Sequence, residues 1–370
     1  MQATRPSDWC IHAKGGGVAS LHTTHYAIGP HRVTLTDATS YDLARLLAPS
    51  FAPFEVKEDA DGESLLQLHI DHQLESNALQ RDSVAIPQEA AVAAALEAKN
   101  LQRLAFDWDD ASCSITFLAP GEHLITITPR HSVTTYCLRS QGSFTSAHLG
   151  IPSELPQEEV RFVVNNYLMM LYAFAAAPQG MLLFHASAVV HQGKAYLFLG
   201  RSGTGKSTHS RLWLRHIQGC GLLNDDNPLV EVDKEGQQVI AYGSPWSGKT
   251  PCYRRECYPL GGLVRLEQAP VNQVKHLEKL AAFAAVMPSC SMLRPEVGVA
   301  DNVMQTIHRL VRRVPVCYLR CLPNGEAAWL AAHALGAGLG LERAEADDLD
   351  LFRLSQGLGD AGNGGVQGDL

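Results

Sequence analysis

The pattern of apolar and polar positions divides the chain into two parts of different character. Up to about residue 150, short stretches alternate apolar and polar residues or are rich in β-branched and aromatic residues: RLAFDWDD, SITFLAP, HLITITP and TTYCLRS. This pattern, with turn residues such as Pro120 and Gly121 between the stretches, predicts a series of strands. The run QEAAVAAALEAKN, around residues 88–100, predicts a helix. Residues 1–154 are therefore expected to form a β-rich α+β domain, with recognition of a partner or substrate as its candidate role.

From residue 155 onward, helical patterns alternate with short apolar strands. PQEEVRFVVNNYLMMLYAFAAAP predicts a helix, MLLFHASAVV and KAYLFLG each predict a buried strand, and DNVMQTIHRLVRR predicts a helix with Asp301 as its N-cap. VPVCYLRCL then predicts a strand, and EAAWLAAHAL a further helix. We expect an α/β domain over residues 155–345, followed by an acidic, then glycine-rich, flexible tail over residues 346–370.

Composition narrows the function classes. The chain has 370 residues, a length that favours two domains, and a formal net charge of −8. That charge argues against broad nucleic-acid binding, which needs a positive surface to displace counterions. The nine cysteines are an odd number without zinc-type spacing, and the first residues lack the apolar core of a signal peptide. Free thiols and a cytoplasmic location are expected.

One apolar segment, residues 163–190, resembles a membrane span in composition. Pro178 and Gly180 interrupt it, and the unbroken run is shorter than the roughly 20 residues that cross a bilayer. The segment therefore predicts a buried helix followed by a buried strand, and no membrane partner is expected.

The stretch GRSGTGKST, residues 200–208, matches the pattern G-x-x-x-x-G-K-[ST] at every fixed position. The apolar strand AYLFLG precedes it, and a helix carrying Leu212, Trp213 and Leu214 is expected after it. In that context backbone N–H groups bind the phosphates of ATP or GTP, the lysine reaches the β- and γ-phosphates, and the serine hydroxyl ligates Mg²⁺. The predicted nucleotide-binding residues are Gly200, Ser202, Gly203, Thr204, Gly205, Lys206, Ser207 and Thr208, with Ser207 also a metal ligand.

Two adjacent acids follow the loop. Asp225 and Asp226 lie in GLLNDDNPLVEV, between an apolar segment and a strand. Behind a phosphate loop, one carboxylate of such a pair can bind Mg²⁺ while the other accepts a proton from an attacking hydroxyl. The alternative is a plain turn, because Asn-Asp-Asp-Asn-Pro is also strong turn chemistry.

The run FHASAVVHQGKAYLFLGRSGTGKSTHSRLWL, followed by LLNDDNPLVEV, resembles the catalytic domain of HPr kinase/phosphorylase. That family is related in fold to ATP-dependent phosphoenolpyruvate carboxykinase. The resemblance covers residues 180–270 well and implies an α/β fold: a P-loop domain of the HPr kinase/carboxykinase type, preceded here by the β-rich α+β domain. By position it implies that Asp225 is the base for the acceptor hydroxyl, that Asp226 is the magnesium-linked acid, and that His185 lies near the phosphates. It also allows a homo-oligomer.

The chain departs from the family after the aspartate pair. YGSPWSGKTPCYRRE, residues 242–256, stands where the family has a glycine-rich signature, which favours an acceptor other than HPr. The style is closer to the peptide-serine kinases of lasso-peptide pathways. In this segment Lys249 would neutralise phosphate charge, Trp246 would form a flat apolar wall, and Arg254 or Arg255 would stabilise the transferred group. Core packing for the tryptophan and a solvated face for the arginines remain alternatives.

The leading hypothesis is an enzyme: an ATP-dependent kinase of a serine or threonine hydroxyl on a peptide or protein, with Asp225, Lys206, His185 and Lys249 as candidate catalytic residues. One alternative is a kinase of a small hydroxylated metabolite such as free serine. Another is a nucleotide-gated binding protein without catalysis. His185 could instead be a core histidine, and His209 and His216 are expected at the surface.

Overall fold

The computed structural model of the protein describes residues 21–57, 63–72, 101–108, 110–248 and 250–337. The predicted helix around residues 88–100, the predicted tail 346–370 and the candidate catalytic Lys249 lie outside the described residues.

The first part of the chain forms a sheet whose strands bury one face. In the strand Leu66–Asp71, for example, Leu66, Leu68 and Ile70 are buried, whereas the residues between them are half-buried. This is the alternation expected of a sheet that is packed on one side. The strand order is β3-β1-β2-β4-β9-β8-β7-β6-β5, with β4 parallel to both β2 and β9. The strands are β1 His22–Ile28, β2 His31–Asp37, β3 Glu55–Val56, β4 Leu66–Asp71, β5 Arg103–Asp107, β6 Ala111–Ala119, β7 Glu122–Pro129, β8 Tyr136–Gln141 and β9 Ser146–Gly150.

The second part builds another sheet with a mixed strand pattern. Its order is β10-β14-β15-β16-β12-β11-β13, and β18 pairs with β16 and β17. The central strands β12, β16 and β18 are parallel, and the remaining pairs are antiparallel. The described residues thus form a mixed α/β structure with two large sheets. The strands are β10 Met181–Leu183, β11 Ala186–His191, β12 Lys194–Leu199, β13 Gly221–Asn224, β14 Leu229–Val232, β15 Val239–Tyr242, β16 Cys257–Gln268, β17 Gln273–His276 and β18 Val316–Cys321.

Six α-helices accompany the sheets within the described residues. They are α1 Leu43–Phe51, α2 Gln157–Ala176, α3 Lys206–His216, α4 Lys279–Val286, α5 Val297–Arg313 and α6 Gly325–Ala334. The predicted start of α5 at Asp301 is wrong. Glu296 occupies the N-cap position, and the buried Val299 and Ala300 extend the helix one turn earlier.

Helix α2 joins the two parts of the chain. The Tyr167 hydroxyl donates to the carbonyl oxygens of Ile125 (3.1 Å) and Tyr136 (2.7 Å), and the Tyr172 hydroxyl donates to the carbonyl of Ile28 (2.8 Å). A short 3₁₀ helix, Ala177–Gln179, connects α2 to β10, and one continuous hydrophobic core includes residues of both sheets. The predicted boundary at residue 154 stays a prediction.

The same helix is long and apolar enough, by length and composition, to cross a membrane. It measures 23 residues as far as Gln179, but 72% of its most apolar window is buried inside the fold. Core helices pass the same length test. The packing of α2, rather than its length, favours the buried helix that the sequence predicted.

Candidate active site

A glycine loop connects β12 to α3, as the sequence predicted. Gly203 (φ 79°) and Gly205 (φ 101°) both have left-handed backbone conformations, which side chains other than glycine adopt only with strain. Gly205 occupies the N-cap position, and Lys206 begins the helix. The Gln268 amide of β16 donates to the Gly203 carbonyl at 3.1 Å and steadies the loop. The loop and the first turn of α3 therefore bring backbone N–H groups together at one helix N-terminus, and this arrangement favours the binding of an anion.

The predicted loop side chains occupy the loop and the first turn of α3. Ser202 is exposed, whereas Thr204, Ser207 and Thr208 are half-buried. Thr204 closes the loop on itself, since both its backbone N–H and its hydroxyl donate to the Arg201 carbonyl.

Lys206, His185 and Asp226 form a chain of contacts beside the loop. Lys206 is only 8% exposed, and its Nζ lies 2.7 Å from His185 Nε2 and 3.3 Å from the Gly200 carbonyl oxygen. On its other side, His185 Nδ1 lies 3.2 Å from Asp226 Oδ1. Because a lysine ammonium can only donate, Nε2 is assigned as the acceptor and Nδ1 as the nitrogen that carries the proton toward Asp226.

Burial favours the neutral form of His185. Partial burial lowers the pKa of His185, Asp226 opposes that shift, and the nearby Lys206 lowers the pKa further. Burial also lowers the pKa of Lys206; Asp226 opposes that shift and Arg265 adds to it. Lys206 thus has two carboxylates, Asp226 and Asp225, and a second cation, Arg265, within electrostatic range.

Asp225 is held at a fixed position in the interior. It is 3% exposed, its Oδ1 accepts from Ser187 Oγ at 3.0 Å, and its Oδ2 accepts from the backbone N–H of Thr250 at 3.2 Å. The Ser187 hydroxyl lies 2.5 Å from that of Ser210 on α3. Each carboxylate oxygen keeps a lone pair beyond these contacts.

The aspartate pair also lies in a turn, as the alternative interpretation had it. Asn224 is fully buried, and its Oδ1 accepts from the N–H groups of Asp226 (2.9 Å) and Asn227 (2.8 Å). Its Nδ2 donates to the Trp246 carbonyl at 3.0 Å. Gly248 closes over the turn: a Cβ there would lie 3.1 Å from the Cβ of Asp226. Turn chemistry and carboxylate placement are therefore two consequences of the same residues.

The structure revises several predictions about neighbouring residues. Trp246 is 2% exposed and packs in the core against Phe51 and Tyr172, with ring centroids 6.2 Å and 5.6 Å apart, so it is not a wall of the acceptor site. His209 is buried at 2% exposure, and its predicted surface position is wrong; His216 is exposed, as predicted.

Arg254 and Arg255 are both exposed, as their solvated-face alternative requires. Arg254 pairs with Glu256 at 3.8 Å, and Arg255 faces a groove between the two parts of the chain.

Sequence reasoning missed Arg265 and Ser187. Arg265 pairs with Leu199 across the parallel strands β16 and β12, next to the glycine loop. An arginine within the apolar run GGLVRLEQ was the available signal. Ser187 lies within a buried apolar strand, and nothing local distinguishes it.

The candidate metal ligands here, Asp226 and Ser207, bind through oxygen atoms. They suit a Mg²⁺ ion that is also bound by substrate phosphates better than a metal ion held by protein side chains alone. Among the residues described, no group of three or more histidines, cysteines or acids is arranged to hold a metal ion. Mg²⁺ is commonly bound through one or two carboxylates together with substrate phosphates. Asp226, whose Oδ2 accepts from the Asn227 amide at 2.8 Å, and the Ser207 hydroxyl suit that role.

The sequence matches no protein-family model and no curated protein. The structure of the HPr(Ser) kinase/phosphatase from Coxiella burnetii is similar to this chain at 12% sequence identity and a TM-score of 0.23. The match covers 47% of this chain and 95% of that one. Values this low leave the assignment of function to the geometry of the chain's own residues.

Proposed function

We propose that this protein is a Mg²⁺- and ATP-dependent kinase that transfers the γ-phosphoryl group to a serine or threonine hydroxyl of a peptide or protein. One observation carries the proposal. A glycine loop at a helix N-terminus, a buried lysine and two adjacent carboxylates belong to one cluster, connected by the contacts of Lys206, His185 and Asp226.

In this proposal Asp225 is the general base. A base must hold its position relative to the acceptor hydroxyl, and Ser187 and the Thr250 backbone N–H fix both oxygens of this carboxylate. Asp225 accepts the hydroxyl proton as the acceptor oxygen forms a bond to the γ-phosphorus and the bond to the β-phosphate oxygen breaks.

The loop and Lys206 bind the phosphates, and His185 couples Lys206 to Asp226. The backbone N–H groups of Gly203, Gly205 and Lys206 fix the phosphates in line with the acceptor, and the ammonium group of Lys206 offsets their charge. A neutral His185 accepts from Lys206 and donates to Asp226, which keeps both groups oriented. Mg²⁺, held by Ser207 and Asp226, would supply further neutralisation of phosphate charge.

Cytoplasmic localisation belongs to the same proposal. ATP is the phosphoryl donor, and the eight cysteines within the described ranges are all free thiols.

The test uses γ-labelled ATP, Mg²⁺ and a panel of acceptors: free serine, HPr and peptides encoded beside this gene. We expect label on a peptide or protein, and Asp225→Asn should reduce the transfer rate about 100-fold or more while ATP affinity is retained. Asp301→Asn, an exposed aspartate of α5, is the matched control and should transfer at the rate of the unmodified protein.

Each contrary outcome identifies a different error. Full transfer by Asp225→Asn would reject that residue as the base. Label on free serine alone would make the protein a metabolite kinase. Tight ATP binding with no labelled acceptor would favour a nucleotide-gated binding protein.

A further inference from the structure

Arg265 is a half-buried arginine that lies beside the glycine loop. Strand β16 pairs it with Leu199, the last residue of β12, and the loop begins at the next residue, Gly200. Arg254 and Arg255, which the sequence suggested as cations for the transferred group, are exposed instead. Arg265 is therefore the better-placed candidate for that role.

A buried serine, Ser289, connects Arg265 to the catalytic cluster. Arg265 Nη1 donates to Ser289 Oγ at 3.4 Å, and the Ser289 carbonyl accepts from the His185 N–H at 2.7 Å. His185 in turn contacts Lys206, with 2.7 Å between Nε2 and Nζ. Burial is the main cause that lowers the pKa of Lys206, and the charge of Arg265 lowers it further. Two cationic side chains therefore lie within electrostatic range of each other beside the loop.

Arg265 has no acid partner within the described part of the chain. The two carboxylates of the cluster, Asp225 and Asp226, are hydrogen-bonded to other groups. A guanidinium has five N–H donors, and the one hydrogen bond to Ser289 leaves most of them without a protein acceptor among these residues. A partly buried cation in this situation favours the binding of an external anion, which offsets its charge. The arginines that do pair with acids in the described ranges are Arg139, Arg161, Arg254 and Arg320.

We propose that Arg265 binds the γ-phosphoryl group of ATP and stabilises the charge that this group carries during transfer. The inference rests on the proposed kinase function and adds a catalytic residue to it. In a loop of this kind the lysine reaches the β- and γ-phosphates, so a guanidinium close to Lys206 meets the same oxygen atoms. The guanidinium is planar and binds two phosphate oxygens at once, which a lysine does not do.

Arg265 acts in the transfer through its charge and its hydrogen bonds. The acceptor oxygen forms a bond to the γ-phosphorus, the bond from that phosphorus to the β-phosphate oxygen breaks, and the hydroxyl proton passes to Asp225. Arg265 stays protonated throughout, because a guanidinium does not lose its proton in proteins. Its contribution is to offset the negative charge on the oxygens of the transferred group.

The first test is a binding measurement without an acceptor. The full chain is titrated with the non-hydrolysable analogue AMP-PNP and with ADP, each with Mg²⁺, by isothermal titration calorimetry. Arg265→Met should lower the affinity for AMP-PNP about tenfold and leave that for ADP unchanged, because only AMP-PNP has a γ-phosphoryl group. Arg265→Lys keeps the charge but not the planar fork, so it should show a smaller loss. Arg312→Met, at an exposed arginine of α5, should bind both nucleotides like the unmodified protein.

Thermal unfolding separates this role from a packing role. Arg265→Met should unfold at the temperature of the unmodified protein or above it, because the substitution removes a half-buried cation that has no acid partner among the described residues. In the same variant the rate of transfer to a labelled acceptor should fall about 1,000-fold. A lower unfolding temperature together with an unchanged affinity for AMP-PNP would assign Arg265 to packing and overturn the inference.

The outcomes distinguish this inference from the proposed kinase function. AMP-PNP binding that depends on Arg265, with no labelled acceptor, would reject the kinase and retain the γ-phosphoryl contact. A labelled peptide, with equal AMP-PNP affinity in the unmodified protein and Arg265→Met, would retain the kinase and reject the contact. Equal losses of affinity for AMP-PNP and ADP would also reject it, since the arginine would then bind a phosphate that both nucleotides share. If the unmodified protein binds neither nucleotide, both proposals fail.

Discussion

Lowering the pH should destabilise the protein through His209, a residue of the helix that follows the glycine loop. Its ring packs edge-on against Phe198 (centroids 4.6 Å apart), and its Nε2 accepts from Trp213 Nε1 at 3.2 Å. Burial lowers the pKa of His209 from 6.5 to about 3. Between about pH 6.5 and pH 3 this histidine therefore binds a proton in the unfolded chain but not in the folded chain. The stability contributed by this neutral histidine is complete above pH 6.5 and is lost as the pH falls from 6.5 toward 3.

The size of the loss follows from the difference between the pKa of His209 in the unfolded and the folded chain. One pKa unit corresponds to about 1.4 kcal/mol, so below pH 3 the whole shift lowers the free energy of unfolding by about 5 kcal/mol. At pH 5 only the first part of the interval has been crossed, and the loss relative to pH 7 is about 2 kcal/mol. That is a large fraction of the free energy of unfolding of an ordinary domain.

Urea unfolding of the unmodified protein and of His209→Gln, each at pH 7 and pH 5, measures this loss. Glutamine keeps an acceptor for Trp213 but does not titrate, so its loss between the two pH values should be about 2 kcal/mol smaller. His216→Gln, an exposed histidine of the same helix, should behave like the unmodified protein. Other histidines are common to all three proteins, so their contributions cancel. Equal losses in the unmodified protein and His209→Gln would refute the reasoning.

Two further substitutions test the turn that holds the aspartates. Gly248→Ala should lower the transfer rate about tenfold with little change in thermal stability, because its Cβ would lie 3.1 Å from that of Asp226 and displace the carboxylate. Gly298→Ala is the control, since a Cβ there meets open space. An unchanged transfer rate in Gly248→Ala would show that Gly248 does not contribute to the site. Asn224→Asp should cost about 3 kcal/mol of unfolding free energy at pH 7, because a buried carboxylate would face the carbonyl of Trp246. Asn302→Asp, whose amide donates to the Gly298 carbonyl at a more exposed position, should cost much less, and equal costs in urea unfolding would contradict this account.

Local sequence patterns predicted many of the elements, but MLLFHASAVV, expected as one strand, forms two, β10 and β11, and helix α1 was not predicted. Strand alternation in residues 103–140 reflects a sheet with one buried face, and apolar runs at 181–199 reflect strands covered on both faces. The start of α5 was misplaced because the start signal at Asp301 is local, whereas the burial of Val299 and Ala300 is tertiary. Packing overrode the signal.

The residues of the candidate active site also divide into those that local sequence patterns identify and those that only tertiary structure brings together. The loop and the aspartate pair are continuous in sequence, so a pattern of neighbours finds them. Arg265 and Ser187 reach the cluster only through the pairing of β16 and β11 with β12, which no local pattern specifies. The burial of His209 and Trp246 likewise depends on neighbours distant along the chain.

Helix α2 has a consequence for the order of events during synthesis. The first sheet is complete when residue 150 has left the ribosome, but the tyrosines that contact it belong to the next segment. Until α2 emerges, the sheet lacks part of its apolar cover, and α2 in turn waits for β10 and the strands that follow. Each half therefore depends on the other to finish folding. A pause in translation just after residue 150 would leave an aggregation-prone intermediate with exposed apolar surface, which is a substrate for chaperones.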